Sequence, residues 1–211
     1  MKLYISPSDQ TENLYAWGST NEAVQCERIA ESLETALRRV SGILVRRNTT
    51  GAISSAIRES NEWGADYHIC IHTNAFDGTV AGTRLFCWDE DGDGFRACQA
   101  VMEALAPITP GTSDGIRPRP ELNEIRGTAA VTVYIEIGFH DNPAEAQWIV
   151  GHTEQIAKAI CQGMCRHLGL SIPEDPWYRV QVGAFRVYEN ARALQQKLIA
   201  QGYPDAFIRK E

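Results

Sequence analysis

Glu136 stands inside Val131-Thr132-Val133-Tyr134-Ile135-Glu136-Ile137-Gly138-Phe139, the most apolar stretch of the chain. An ionised carboxylate buried without partners costs several kcal/mol, so Glu136 has to be neutral, paired or beside a cation. Function is one explanation and a structural ion pair is the other. His72 closes a second stretch, Tyr67-His68-Ile69-Cys70-Ile71-His72, in which polar and apolar residues alternate. On a strand, alternate side chains share a face, so His68, Cys70 and His72 point one way and Tyr67, Ile69 and Ile71 the other. His72 falls where the strand ends, and in open α/β sheets ligands bind just outside the carboxyl ends of strands. The plain alternative is a hydrogen-bonded core histidine. Two more carboxylates take comparable places: Asp9 follows the first strand and Glu22 opens the first helix. A histidine with carboxylates around an open position is the ligand chemistry of a catalytic zinc ion, which polarises a carbonyl and lowers the pKa of bound water. A further carboxylate beside that water can act as general base and then as acid.

The elements that must position these groups follow from periodicity. Lys2 to Ser6 reads as a strand ended by Pro7-Ser8-Asp9-Gln10, and a polar loop leads to Thr20, the expected helix N-cap. Cys26, Ile29, Leu33, Leu37 and Val40 recur at helical spacing, with Gly42 just past the end. Ile43 to Val45 predicts a second strand, Ala52 to Trp63 a helix closed by Gly64, and Tyr67 to Ile71 the third strand. Gly82 to Trp88 is another strand and the stripe Phe95, Cys98, Val101 and Leu105 another helix, while Pro107 to Pro120 reads as a long surface loop. The strand carrying Glu136 is the central one. Asn142 caps a helix beginning at Pro143, and Ile156, Ile160, Met164 and Leu168 mark a further helix ended by Gly169. Such alternation predicts an α/β fold, a mostly parallel twisted sheet of about six strands with helices on both faces. Beyond a linker at 171–176, residues 177–211 read as a small β-α-β appendage with strands at Tyr178 to Phe185 and Ala206 to Arg209. A unit of that size is too small to fold without a partner or staple.

The chain has 211 residues, enough for one α/β domain and an appendage. Its formal net charge of −7 and lack of basic runs argue against a nucleic-acid partner. No apolar run is long enough to insert in a membrane, and the first residues are too short a run for a signal peptide, which predicts synthesis in the cytoplasm. Cysteines occur singly or one helical turn apart (Cys161 and Cys165), a pattern of buried reduced thiols. Asp89-Glu90-Asp91-Gly92-Asp93-Gly94 has part of a calcium-loop pattern, but Cys98 stands where its glutamate would be.

Taken in order, Asn21-Glu22, Ile71-His72-Thr73-Asn74-Ala75 and Tyr134-Ile135-Glu136-Ile137-Gly138-Phe139 followed by Asn142 resemble the zinc-dependent N-acetylmuramoyl-L-alanine amidases of the amidase-3 type. The resemblance covers residues 1–170. It implies one Zn2+ held by Glu22 and His72, Glu136 as the catalytic carboxylate, and peptidoglycan as substrate. The family's first-strand turn carries a zinc-binding histidine where this chain has Pro7-Ser8-Asp9. Asp9 can ligate zinc through oxygen and is the expected third ligand; Gln10, His68 and His140 are the other candidates. Tyr178 to Phe185, Asn190-Ala191, Leu194 and Gly202-Tyr203-Pro204 resemble the opening half of SPOR repeats, which implies binding to glycan strands. The expected protein is a cell-wall hydrolase without a signal peptide, acting at the bacterial wall after release, as a phage lysin or in mother-cell lysis. A non-catalytic wall-binding protein on the same scaffold is the alternative.

Overall fold

The computed structural model describes residues 1–173 and 180–210. The chain divides into two compact units, Met1–Pro173 and Glu174–Glu211. In the first, strands β1 (Lys2–Pro7), β2 (Leu44–Arg47), β3 (Tyr67–Asn74), β4 (Arg84–Cys87), β5 (Gly115–Pro118) and β6 (Val131–Phe139) form one sheet in the order β2-β1-β3-β6-β4-β5. All neighbours are parallel except β4 and β6. The mostly parallel α/β sheet expected from the alternation is therefore present. β5 was not expected: it lies in the stretch read as a surface loop, and its terminal Pro118 is tolerated because β5 is an edge strand.

Helices α1 (Glu22–Arg38), α3 (Asp93–Leu105) and α6 (Thr153–Leu168) pack together on one face of the sheet. There Leu3, Ile5, Ile69, Ile71, Val133, Ile135 and Ile137 are fully buried against Ile29, Leu33, Val101 and Ile160. Each such side chain contributes roughly 1.5–3 kcal/mol by leaving water. Helices α2 (Ile53–Trp63) and the five-residue α4 (Asn123–Gly127) lie on the opposite face. That face carries only a small apolar cluster, Cys70, Phe86, Ile125 and Tyr134. The alternate positions of β1, β3 and β6 that point there include Ser6, His68, His72 and Glu136, so polar groups fill the space a second core would occupy.

Caps set the helix starts near the strand ends. Asn21, not Thr20, caps α1, its side chain accepting from Val24 N at 3.0 Å; Thr20 Oγ1 instead accepts from Gln25 Nε2 at 2.8 Å. Asn142 caps α5 (Pro143–Gly151) through Ala144 N and Glu145 N, with Pro143 in the first turn. In the second unit, α7 (Tyr188–Ala200) forms, but residues 180–187 and 203–210 carry no strand. Among the described residues, the expected β-α-β appendage shows its helix but not its strands. A strand is held by its ladder, and no described strand pairs with these segments. Tyr178 and Arg179, the start of the first expected strand, and Glu174-Asp175-Pro176 of the linker lie outside the described residues.

Candidate active site

β1, β3 and β6 are adjacent, so their carboxyl ends and the start of α1 share one corner of the first unit. Ser8 N donates to Ile71 O at 2.9 Å, which carries the β1 pairing one residue past the strand. Ser8 is consequently buried and Asp9 exposed. The Asp9 Cβ lies 3.9 Å from the position a Cβ on Gly51 would take, in the loop before α2.

Glu22 and His72 do meet. His72 Nδ1 lies 3.0 Å from Glu22 Oε1, and both side chains are buried. Glu22 Oε1 also accepts from Thr73 N at 3.3 Å, and Glu22 Oε2 from Asn13 Nδ2 at 2.6 Å. Burial alone would raise the Glu22 pKa, but hydrogen bonds from His72, Asn13 and Ser8 hold it below the ordinary value. Asn13 Nδ2 reaches Gln10 Oε1 as well, at 3.0 Å, so Gln10 belongs to the network around Glu22.

A further carboxylate, Glu124 on α4, lies behind His72. Glu124 Oε2 is 3.4 Å from His72 Nε2, and Oε1 accepts from Ser6 Oγ and stands 3.1 Å from His68 Nε2. Burial opposes its charge, yet the bonds to His68 and His72 push its pKa down. Burial likewise opposes charge on His72, but the carboxylates Glu124 and Glu22 outweigh it and raise its pKa. The His72 ring is further fixed by stacking on Tyr134, with centroids 4.5 Å apart and planes at 16°.

Glu136 pairs in register with His72 across β3 and β6. It is half-buried, and its Oε2 is a buried oxygen with no hydrogen-bond partner. Burial pushes its pKa up to about 7, Glu22 adds to this, and His72 and Arg119 oppose it. A carboxyl near pH 7 with a free oxygen is suited to taking and returning a proton.

The two histidines that were further ligand candidates, His68 and His140, have partners of their own. His68 is fully buried, stacked on Tyr4 at 5.4 Å, and turned to Glu124. His140 is buried, with Nδ1 at 3.0 Å from Thr73 Oγ1, and stacks on Tyr15 at 5.5 Å. Among the described residues, His68, Cys70 and Glu124 are a group whose possible metal-binding atoms lie within 4.8 Å of one another. All are buried, so that set has no face open to a substrate.

The family model described as N-acetylmuramoyl-L-alanine amidase matches residues 10–166. The chain belongs to this family. The match begins just past Pro7-Ser8-Asp9. The SPOR domain model matches residues 129–210. The amidase CwlM of Bacillus licheniformis is 26% identical over 99% of this chain and 84% of its own length. The sporulation-specific N-acetylmuramoyl-L-alanine amidase of Bacillus subtilis (strain 168) is 22% identical over 100% of this chain and 86% of its own. Among solved structures, an N-acetylmuramoyl-L-alanine amidase from Clostridium difficile 630 superposes with a TM-score of 0.71 at 22% identity, covering 80% of this chain and 96% of that one. The catalytic domain of CwlV, from Bacillus (Paenibacillus) polymyxa var. colistinus, superposes with 0.72 at 18% identity, covering 81% and 100%.

Within this amidase fold, Glu124 is the site residue that periodicity does not reveal. Glu124 lies just past the stretch read as a surface loop, in residues to which the periodicity assigns no element, and its neighbour Ile125 packs into the small cluster with Tyr134. The donor set at the strand ends fits a divalent metal: Glu22 and His72 bring a carboxylate oxygen and an imidazole nitrogen together on buried side chains, a mixed set that zinc accepts.

Proposed function

We propose that this chain hydrolyses the amide joining the lactyl group of N-acetylmuramic acid to the L-alanine of the peptidoglycan stem peptide. The observation that carries the mechanism is Glu136: a half-buried carboxyl with a partnerless oxygen, in register beside the Glu22–His72 pair. Glu22 and His72 would hold a zinc ion. A third ligand would come from the Ser8-Asp9-Gln10 turn, where Gln10 shares Asn13 with Glu22 and Asp9 is exposed. When bound, zinc polarises the scissile carbonyl and lowers the pKa of a water. Glu136 accepts the proton of the attacking water and returns it to the alanine nitrogen as the C–N bond breaks. The products are a lactyl carboxylate and a free amine. The Thr73 N and Asn13 bonds keep Glu22 ionised and oriented through these steps.

The enzyme acts at the cell wall, and the SPOR-like second unit supports binding to its glycan strands. Among the described residues no helix is long and apolar enough to cross a membrane. Glu136→Gln should lower turnover of purified peptidoglycan by about 10²–10⁴-fold. Zinc content, measured by elemental analysis, should stay at the wild-type level. Mass spectrometry of the digest should find free stem peptides with wild type and not with the variant. Wild-type activity in Glu136→Gln overturns its role; binding of sacculi without release of stem peptides by the zinc-loaded wild type overturns the enzyme.

A further inference from the structure

We infer that Glu124 is a positioning residue of the metal centre, fixing the ring of His72 so that Nδ1, and not Nε2, faces Glu22. The inference rests on the proposed Glu22–His72 metal pair and adds a group that neither periodicity nor the amidase resemblance assigns. An imidazole that ligates a metal through one nitrogen carries its proton on the other, and the acceptor of that proton sets the tautomer and the ring orientation. Glu124 Oε2 is that acceptor, 3.4 Å from His72 Nε2, while Nδ1 lies 3.0 Å from Glu22 Oε1.

Glu124 is itself held. Its other oxygen accepts from Ser6 Oγ and faces His68 Nε2 at 3.1 Å, which ties one carboxylate to β1, to the interior of β3 and to the β3 end at once. Leu122 and Ile125, on either side of it, pack into the cluster of Cys70, Phe86 and Tyr134, so the short α4 is anchored where it delivers the carboxylate. Tyr134 in turn stacks on His72. This arrangement gives His68 a role without making it a ligand: it orients the residue that orients His72.

Two readouts test this in the full-length protein. Zinc affinity, measured by competition with a chromogenic chelator, should fall about 10–100-fold in Glu124→Ala, the range seen when a group hydrogen-bonded to a metal ligand is removed. Glu124→Gln, of the same shape, offers one acceptor oxygen to three donors and should also lose affinity while keeping the wild-type circular dichroism spectrum. Long-range ¹H–¹⁵N spectra of the histidine rings report the second readout: zinc-loaded wild type should show His72 protonated at Nε2, and Glu124→Gln should lose or shift that signal. Unchanged affinity and an unchanged His72 signal in a folded Glu124→Gln overturn the inference. If the wild type binds no zinc, the metal reading fails by itself, and the His72 ring signal in the metal-free protein still decides: a shift in Glu124→Gln upholds the role of Glu124, and identity with wild type overturns it.

Discussion

Asp9 and Gln10 are neighbours in sequence with opposite surroundings, and the difference decides what each can do. Asp9 is exposed, whereas Gln10 shares the amide of Asn13 with the Glu22 carboxylate. Asp9→Ala should therefore leave zinc affinity within about two-fold of wild type, as for surface substitutions worth under roughly 0.5 kcal/mol. Gln10→Ala should weaken zinc by about ten-fold or more, whether the amide touches the ion or only holds Asn13 and Glu22 in place. Chelator competition on the two variants separates them, and the reverse order would return the third position to Asp9. The placement of His72, Glu22 and Glu136 was legible in sequence because each follows from a local rule: a strand end, a helix start, a charge in an apolar run. The inward turn of Gln10 was not, because it depends on Ser8 pairing with Ile71 on another strand. Glu124 was hidden for the same reason, since its burial comes from residues far along the chain.

Helices α3 and α6 set how closely the covering layer packs on the sheet, and one glycine marks the contact. A Cβ at Gly163 would lie 2.4 Å from Val101 Cα and 2.8 Å from Ala100 O, both backbone atoms that cannot step aside. Gly163→Ala should destabilise the protein by roughly 1–3 kcal/mol, the usual cost of overpacking, despite the better helix propensity of alanine. Gly151→Ala meets nothing within 4 Å and serves as the control, expected within about 0.5 kcal/mol of wild type. Urea unfolding with both variants reads the difference, and equal midpoints would mean that the helices separate freely. The helices themselves were readable because their apolar stripes recur with a period near 3.6 residues. The edge strand β5 was not, since proline and glycine dominate its surroundings and only its pairing with β4 makes it a strand. The tail differs in the opposite direction: its alternation is strand-like, but a pattern without a partner ladder makes no strand, and among its described residues the helix, which satisfies its own hydrogen bonds, is the element that forms.

The molecule as a whole distributes its stability unevenly. Among the described residues, every buried hydrophobic one lies between Leu3 and Cys165, while α7 buries none and Val180, Val182, Phe185, Tyr203 and Phe207 are exposed. The first unit therefore holds the apolar core and the candidate site, and the second contributes surface. A chain ending at Pro173 should fold with a melting temperature within about 4 °C of the full chain, which for a protein of this size corresponds to roughly 1 kcal/mol. It should also keep zinc and hydrolyse a soluble muramyl peptide at the full-length rate. What it should lose is retention on sacculi, because aromatic and aliphatic side chains left uncovered in one short segment mark a contact surface, and the SPOR match, which includes this segment, supports peptidoglycan as the partner. Co-sedimentation of the Glu136→Gln form of each length with purified sacculi measures that retention without digestion. A truncated chain that pellets as well as the full chain would remove the wall-binding role from the second unit, and one that melts much lower would show that the first unit depends on it.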